Sequence, residues 1–123
     1  MLRRSRSFLI AARGIASVAR SEFNFRLQLL AAVAVTAAGA YFQIDASEWI
    51  AQSICIGLVL AFECMNTAIE KLSDVVQPEN DPAIEFIKDA AAGAVLIAAL
   101  TSVVTASLIY APRAFSLSSA ITP

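Results

Sequence analysis

Three stretches of this chain are long enough to cross a lipid bilayer and carry almost no charge. Residues 27–44 contain no Asp, Glu, Lys or Arg over 18 positions, and residues 90–112 contain none over 23. Between Glu48 and Glu70 the one charged residue is Glu63. About 20 apolar residues in a helix span the hydrocarbon core. Of the 123 residues, 59% are hydrophobic and 15% charged. A body this small has too much surface for its volume to hide that much apolar side chain in a core of its own. The pattern predicts a one-domain, all-α membrane protein with three transmembrane helices, the middle one holding a carboxylate.

Charge is unevenly placed along this frame. Six of the nine basic residues fall in the first 26: Arg3, Arg4, Arg6, Arg13, Arg20 and Arg26. The loop after the first span carries Asp45 and Glu48 and no base. The positive-inside rule therefore places the N-terminus in the cytoplasm, the segment from Lys71 to Lys88 on the same side, and the C-terminus outside. The basic residues sit among apolar ones, as in a lipid-headgroup contact, and no nucleic-acid-binding module is present. Without histidine, a zinc site is disfavoured. Cys55 and Cys64 are separated by about 13 Å along one helix, too far for a mutual disulfide.

Residues 5–20 read as an amphipathic surface helix, with Phe8, Ile15 and Val18 recurring near helical spacing and Arg6, Arg13 and Arg20 elsewhere. The segment SEFNFR, residues 21–26, reads as a short hinge. Spans follow near 27–43, 48–76 and 83–111. The first is rich in Ala and includes Gly39, which allows close helix approach. The second starts near Ser47 or Glu48, with Trp49 as an interfacial anchor. QPENDP, residues 77–82, forms a turn, and Pro82 suits the first turn of the next helix. Pro112 is expected to end that helix, leaving 112–123 as a loose tail.

The polar residues of the second span are the informative ones. Glu63, Asn66 and Glu70 stand at i, i+3 and i+7, Asp74 continues the stripe at i+11, and Thr67 borders it. At 3.6 residues per turn they share one helix face. A carboxylate inside a span is expensive and marks function by default. Glu22 precedes the first span, and Lys88 and Asp89 open the third, at the same expected interface. Oxygen ligands there suit Mg²⁺, which binds a few carboxylates together with substrate phosphates. With a basic donor and a deeper carboxylate, this set fits phosphoryl transfer at a membrane surface. The same groups could also build an ion pathway, so a small proton-coupled transporter using Glu63 is the alternative. The chain has no Gly-x-x-x-x-Gly-Lys loop and no soluble-kinase signature.

The run ECMNTAIEKLSDVV (63–76), followed by IKDAAAGAVLIAA (87–99), resembles the prokaryotic diacylglycerol kinase family, which includes undecaprenol kinases. Glu22, Phe25 and Arg26 match its N-terminal pattern, and the resemblance covers about residues 3–111. The Glu-Lys-x-x-Asp variant, the Pro-Glu–Pro turn and Ala-Ala-Gly-Ala-Val-Leu look closer to the undecaprenol kinase branch.

The resemblance implies a homotrimeric lipid kinase of the bacterial cytoplasmic membrane, with residues 1–111 as the kinase domain. Its active sites would be shared between neighbouring protomers. The substrates would be ATP, with Mg²⁺, and a lipid alcohol, either undecaprenol or diacylglycerol. By position, Glu63 matches the catalytic base and Asn66 a polar residue beside it. Glu22 and Glu70 match metal-binding acids. Arg3, Glu79, Asn80, Asp81, Lys88 and Asp89 match nucleotide contacts. Asn24, Phe25, Arg26, Gln28 and Trp49 fall in stretches that contact lipid. Three positions depart from the family: Asp81 stands where many members have histidine, Gln28 where an acid or histidine is common, and Ile10 where some have tyrosine.

Overall fold

A computed structural model describes residues 2–121, with side chains described for residues 6–117. Four helices follow in order: α1 (Leu2–Ser21), α2 (Phe23–Phe42), α3 (Ala46–Val76) and α4 (Pro82–Ile121). All but α1 include a segment long and apolar enough to cross a membrane. At about 1.5 Å per residue, α3 is roughly 45 Å long, well beyond a 30 Å hydrocarbon core. Its C-terminal end and the start of α4 therefore project past the apolar layer. Among the described residues the buried apolar side chains are Phe25, Ile44, Ala98 and Ile109. Most large apolar side chains point outward, as the composition predicts for a surface that faces lipid or other copies.

The corner between α1 and α2 is tighter than the expected six-residue hinge. Only Glu22 lies between the helices, in an extended conformation. Arg26 explains why so short a corner holds. Its guanidinium donates to the carbonyls of Ala19 (3.1 Å) and Arg20 (3.0 Å), capping the end of α1. It also lies 5.8 Å from the Phe23 ring centroid.

At the other end of the bundle, Gln43 closes α2 in the left-handed region, at φ 52° and ψ 51°. The next helix begins earlier than Ser47. Asp45 caps it by accepting from the Glu48 amide at 2.9 Å, while the Glu48 carboxylate accepts from the Asp45 amide at 2.9 Å. This reciprocal pair is a capping box. The Ser47 hydroxyl, and then the Glu48 amide, hold the Asp45 carboxyl below its ordinary range.

The expectation that Pro112 ends the last helix is corrected: α4 runs through it to Ile121. Proline removes one backbone donor, but the turn around it is clamped from outside. Arg113 donates to both Glu48 oxygens, at 2.9 and 2.7 Å, and to the Ile109 carbonyl. The helix is thus fixed to α3 immediately after the proline.

α3 and α4 pack along each other as a long hairpin, and α2 meets α3 over a shorter stretch. Gly39 lets α2 approach the start of α3. A Cβ there would stand 2.8 Å from the Trp49 ring and 3.0 Å from Ile44.

Candidate active site

The acid stripe of α3 lies where α2, α3 and α4 converge toward the α1 end. Glu63 is 5% exposed, and Thr67 and Ser73 are equally buried. The Gln28 amide of α2 donates to Glu63 Oε2 at 3.2 Å. One turn on, Asn66 Nδ2 donates to Glu70 Oε1 at 3.0 Å. Further along, Lys88 of α4 pairs with Asp74 at 2.9 Å. Each acid of the expected stripe therefore has one neutral or cationic partner.

The partners do not use up the site's hydrogen-bonding capacity. Gln28 Oε1 and Asn66 Oδ1 are buried without a hydrogen-bond partner. A buried acceptor left in this state costs about 1–3 kcal/mol. An arrangement that tolerates two of them is one that other groups complete.

The remaining candidates divide by position. Glu79, Asn80, Asp81, Lys88 and Asp89 all line one cleft of about 470 Å³ at the α3–α4 turn. Asp81 Oδ1 is engaged there as the cap of α4, accepting from the Ala83 amide at 2.8 Å and the Ile84 amide at 3.4 Å. Lys88 is engaged with Asp74. The cleft is strongly acidic, since Asp74 and Glu85 line it too.

Glu22 stands half-buried at the α1–α2 corner, and its side chain makes no capping hydrogen bond. Among the described residues, Asp, Glu, Cys and His form no ready-made cluster of three for a metal. The donors present are nevertheless of the right kind. The carboxylates of Glu22 and Glu70 and the orphaned Asn66 Oδ1 are hard oxygen ligands.

Of the residues in lipid-contact stretches, Asn24 is exposed and Arg26 caps α1. Phe25 is 1% exposed, so its ring packs inside the protein. Gln28 is the one brought to Glu63. Trp49 lies over Gly39, about 21 Å from Glu63 along the helix. The side chain of Arg3 lies outside the described residues.

Two polar residues were not singled out from the sequence. Gln52 is buried, donating to the Val35 carbonyl at 3.3 Å and accepting from the Tyr110 hydroxyl at 2.6 Å. The Val35 carbonyl lies 3.0 Å from the same Tyr110 hydroxyl, as an alternative acceptor for its one proton. The signal was present for Gln52: Gln52, Glu63 and Asp74 recur every 11 residues, which is three helical turns. Between Gln28 and Gln52 lies an apolar slot of about 280 Å³, walled by α2, α3 and α4.

Comparison with known proteins decides the class. A family profile for prokaryotic diacylglycerol kinase matches residues 9–110. The chain belongs to the prokaryotic diacylglycerol kinase family. It is 38% identical over 108 residues to the undecaprenol kinase of Bacillus subtilis (strain 168), covering 88% of each chain. It is 31% identical over 112 residues to the diacylglycerol kinase of Synechocystis sp. (strain ATCC 27184 / PCC 6803 / Kazusa). That match covers 90% of this chain and 64% of the relative. The protein is a membrane lipid kinase, as the paired motifs of α3 and α4 led one to expect.

Proposed function

We propose that this kinase transfers the γ-phosphoryl group of ATP to the hydroxyl of undecaprenol or diacylglycerol. The reaction takes place at the cytoplasmic face of the bacterial inner membrane, where the basic α1 lies. The observation that carries this reading is Glu63: a carboxylate buried inside a span, with one amide donor and spare accepting capacity. Glu63 takes the proton of the lipid hydroxyl as that oxygen bonds to the γ-phosphorus. The bond from phosphorus to the β-phosphate oxygen breaks, and ADP leaves with its electron pair. Gln28 holds the Glu63 carboxylate in place, and Asn66 does the same for Glu70.

The α3–α4 cleft takes the nucleotide. Its acids repel a bare triphosphate, so the nucleotide must arrive with a cation. Glu22, Glu70 and Asn66 Oδ1 would hold Mg²⁺, which when bound offsets charge on the phosphate oxygens. The carboxylates of the cleft suit the ribose hydroxyls, which are donors. The outward apolar faces suit a homotrimer with sites completed by neighbouring copies.

Lipid phosphorylation by Glu63→Gln in detergent–lipid mixtures tests the base. A loss of about 100-fold or more is expected, and near-normal turnover would overturn the assignment. For the metal, Glu70→Ala should raise the Mg²⁺ concentration needed for half-maximal activity. An unchanged Mg²⁺ titration would remove Glu70 from the ligand set.

A further inference from the structure

We infer that Arg26 is a positioning residue for Glu22: its guanidinium is spent on the end of α1, which fixes the corner where Glu22 stands and leaves the Glu22 carboxylate free for a cation. This rests on the reading of Glu22 as a ligand of Mg²⁺ and adds what holds that ligand in place.

Glu22 is the single residue between α1 and α2. Its backbone is tied on both sides. Its amide donates to the Val18 carbonyl of α1 at 2.8 Å, and its carbonyl accepts from the Arg26 amide at 3.4 Å. Next to it, the buried ring of Phe25 anchors the start of α2. α1 has no such anchor, since none of its described side chains is buried. What fastens the end of α1 to α2 is the Arg26 side chain, which donates to the Ala19 and Arg20 carbonyls. These belong to the last turn of α1, whose carbonyls have no partner within the helix.

The Glu22 side chain is unspent. It stands at the N-cap of α2, where a short acid folds back onto the first amides of the helix. Asp45 does this for α3 and Asp81 for α4. Glu22 makes no such bond, although its backbone is extended as in a capping residue. Nor is it paired with Arg26. A Glu four residues before an Arg commonly pairs with it along a helix. The ion pairs among the described residues are instead Lys88–Asp74 and Arg113–Glu48. Arg26 turns to α1, where two carbonyls hold it. A metal arriving at Glu22 therefore has neither an amide nor a guanidinium to displace.

A role for Arg26 merely as a positive charge near the site predicts the opposite effect on metal binding. Removing a fixed positive charge strengthens the binding of a nearby cation. Removing the clamp on the corner weakens it, because Glu22 is no longer held in place. The sign of the change separates the two.

Mn²⁺ titrated into the full chain in micelles, with a non-hydrolysable ATP analogue present, tests this by electron paramagnetic resonance. The broadened spectrum reports protein-bound metal without turnover. Arg26→Ala should weaken Mn²⁺ binding about tenfold. On top of Glu22→Gln it should add nothing, because both act through one carboxylate. Arg26→Lys keeps the charge, loses the two-pronged grip and can swing to Glu22. It should weaken Mn²⁺ binding as well, and it carries the test if Arg26→Ala does not fold. Tighter or unchanged Mn²⁺ binding in either folded variant overturns the inference. So does a loss that is as large beside Glu22→Gln as without it, which would mark a direct contact with the nucleotide. If Glu22→Gln binds Mn²⁺ like the wild type, the metal reading of Glu22 falls and takes the inference with it. If Glu22→Gln weakens binding and the Arg26 variants do not, the metal reading stands and the inference alone fails.

Discussion

The two ends of the helix bundle use similar residues in opposite ways. At the α2–α3 turn, Asp45, Glu48 and Arg113 are joined by the capping box and a two-pronged ion pair. Gln52, Tyr110 and the Val35 carbonyl close on one another just below. At the α1 end, Gln28, Glu63, Asn66 and Glu70 are linked only in pairs, and two buried amide oxygens go unused. Burial is equal, since Gln52 and Glu63 are both 5% exposed. What differs is completeness. A polar group whose partners all come from the protein holds helices together, whereas one with capacity to spare is ready for a ligand.

Four substitutions test that contrast. The largest effect expected is on turnover, from Glu63→Gln at the incomplete end, with thermal unfolding in micelles little changed. Glu48→Ala at the complete end should do the reverse. It removes the two-pronged partner of the Arg113 guanidinium and should lower the thermal unfolding midpoint in micelles, while kcat stays within about threefold of wild type. If Glu48→Ala abolishes turnover while the fold survives, the two ends are not functionally distinct. Gly39→Leu sharpens the point that the complete end is a packing device. Its side chain would collide with Trp49 and Ile44, for about 1–3 kcal/mol, measured by the same unfolding assay. The smallest effect should come from Gln43→Gly. Glycine adopts the left-handed conformation at no steric cost, so stability should rise by about 0.5–1 kcal/mol without a change in activity.

Much of the incomplete end was legible in the sequence, because helical periodicity alone puts Glu63, Asn66, Glu70 and Asp74 on one face. The nucleotide candidates 79–81, 88 and 89 came from the family resemblance, and the structure gathers these residues along one cleft. Partnership was not legible. Nothing local says that Lys88 reaches back 14 residues to Asp74, or that Asp81 is taken up as a helix cap. Nothing local places Gln28 against Glu63, 35 residues away. Phe25 illustrates the same limit: an aromatic at interface depth reads as a lipid contact until packing buries its ring. Pro112 failed as a stop signal because the clamp that holds α4 past it comes from Glu48 on another helix.

The sequence by itself determined that this chain belongs in a membrane. It also determined how many spans it has, which span carries the carboxylate, and through paired motifs in α3 and α4, that the protein is a lipid kinase. These properties depend on hydropathy and on spacing within single helices, which act over a few residues. Only the tertiary structure decided which polar groups satisfy one another and which are left open. It also created the slot beneath Gln28. Both depend on how α2 leans on the α3–α4 hairpin, and that is set by contacts between residues far apart in the chain.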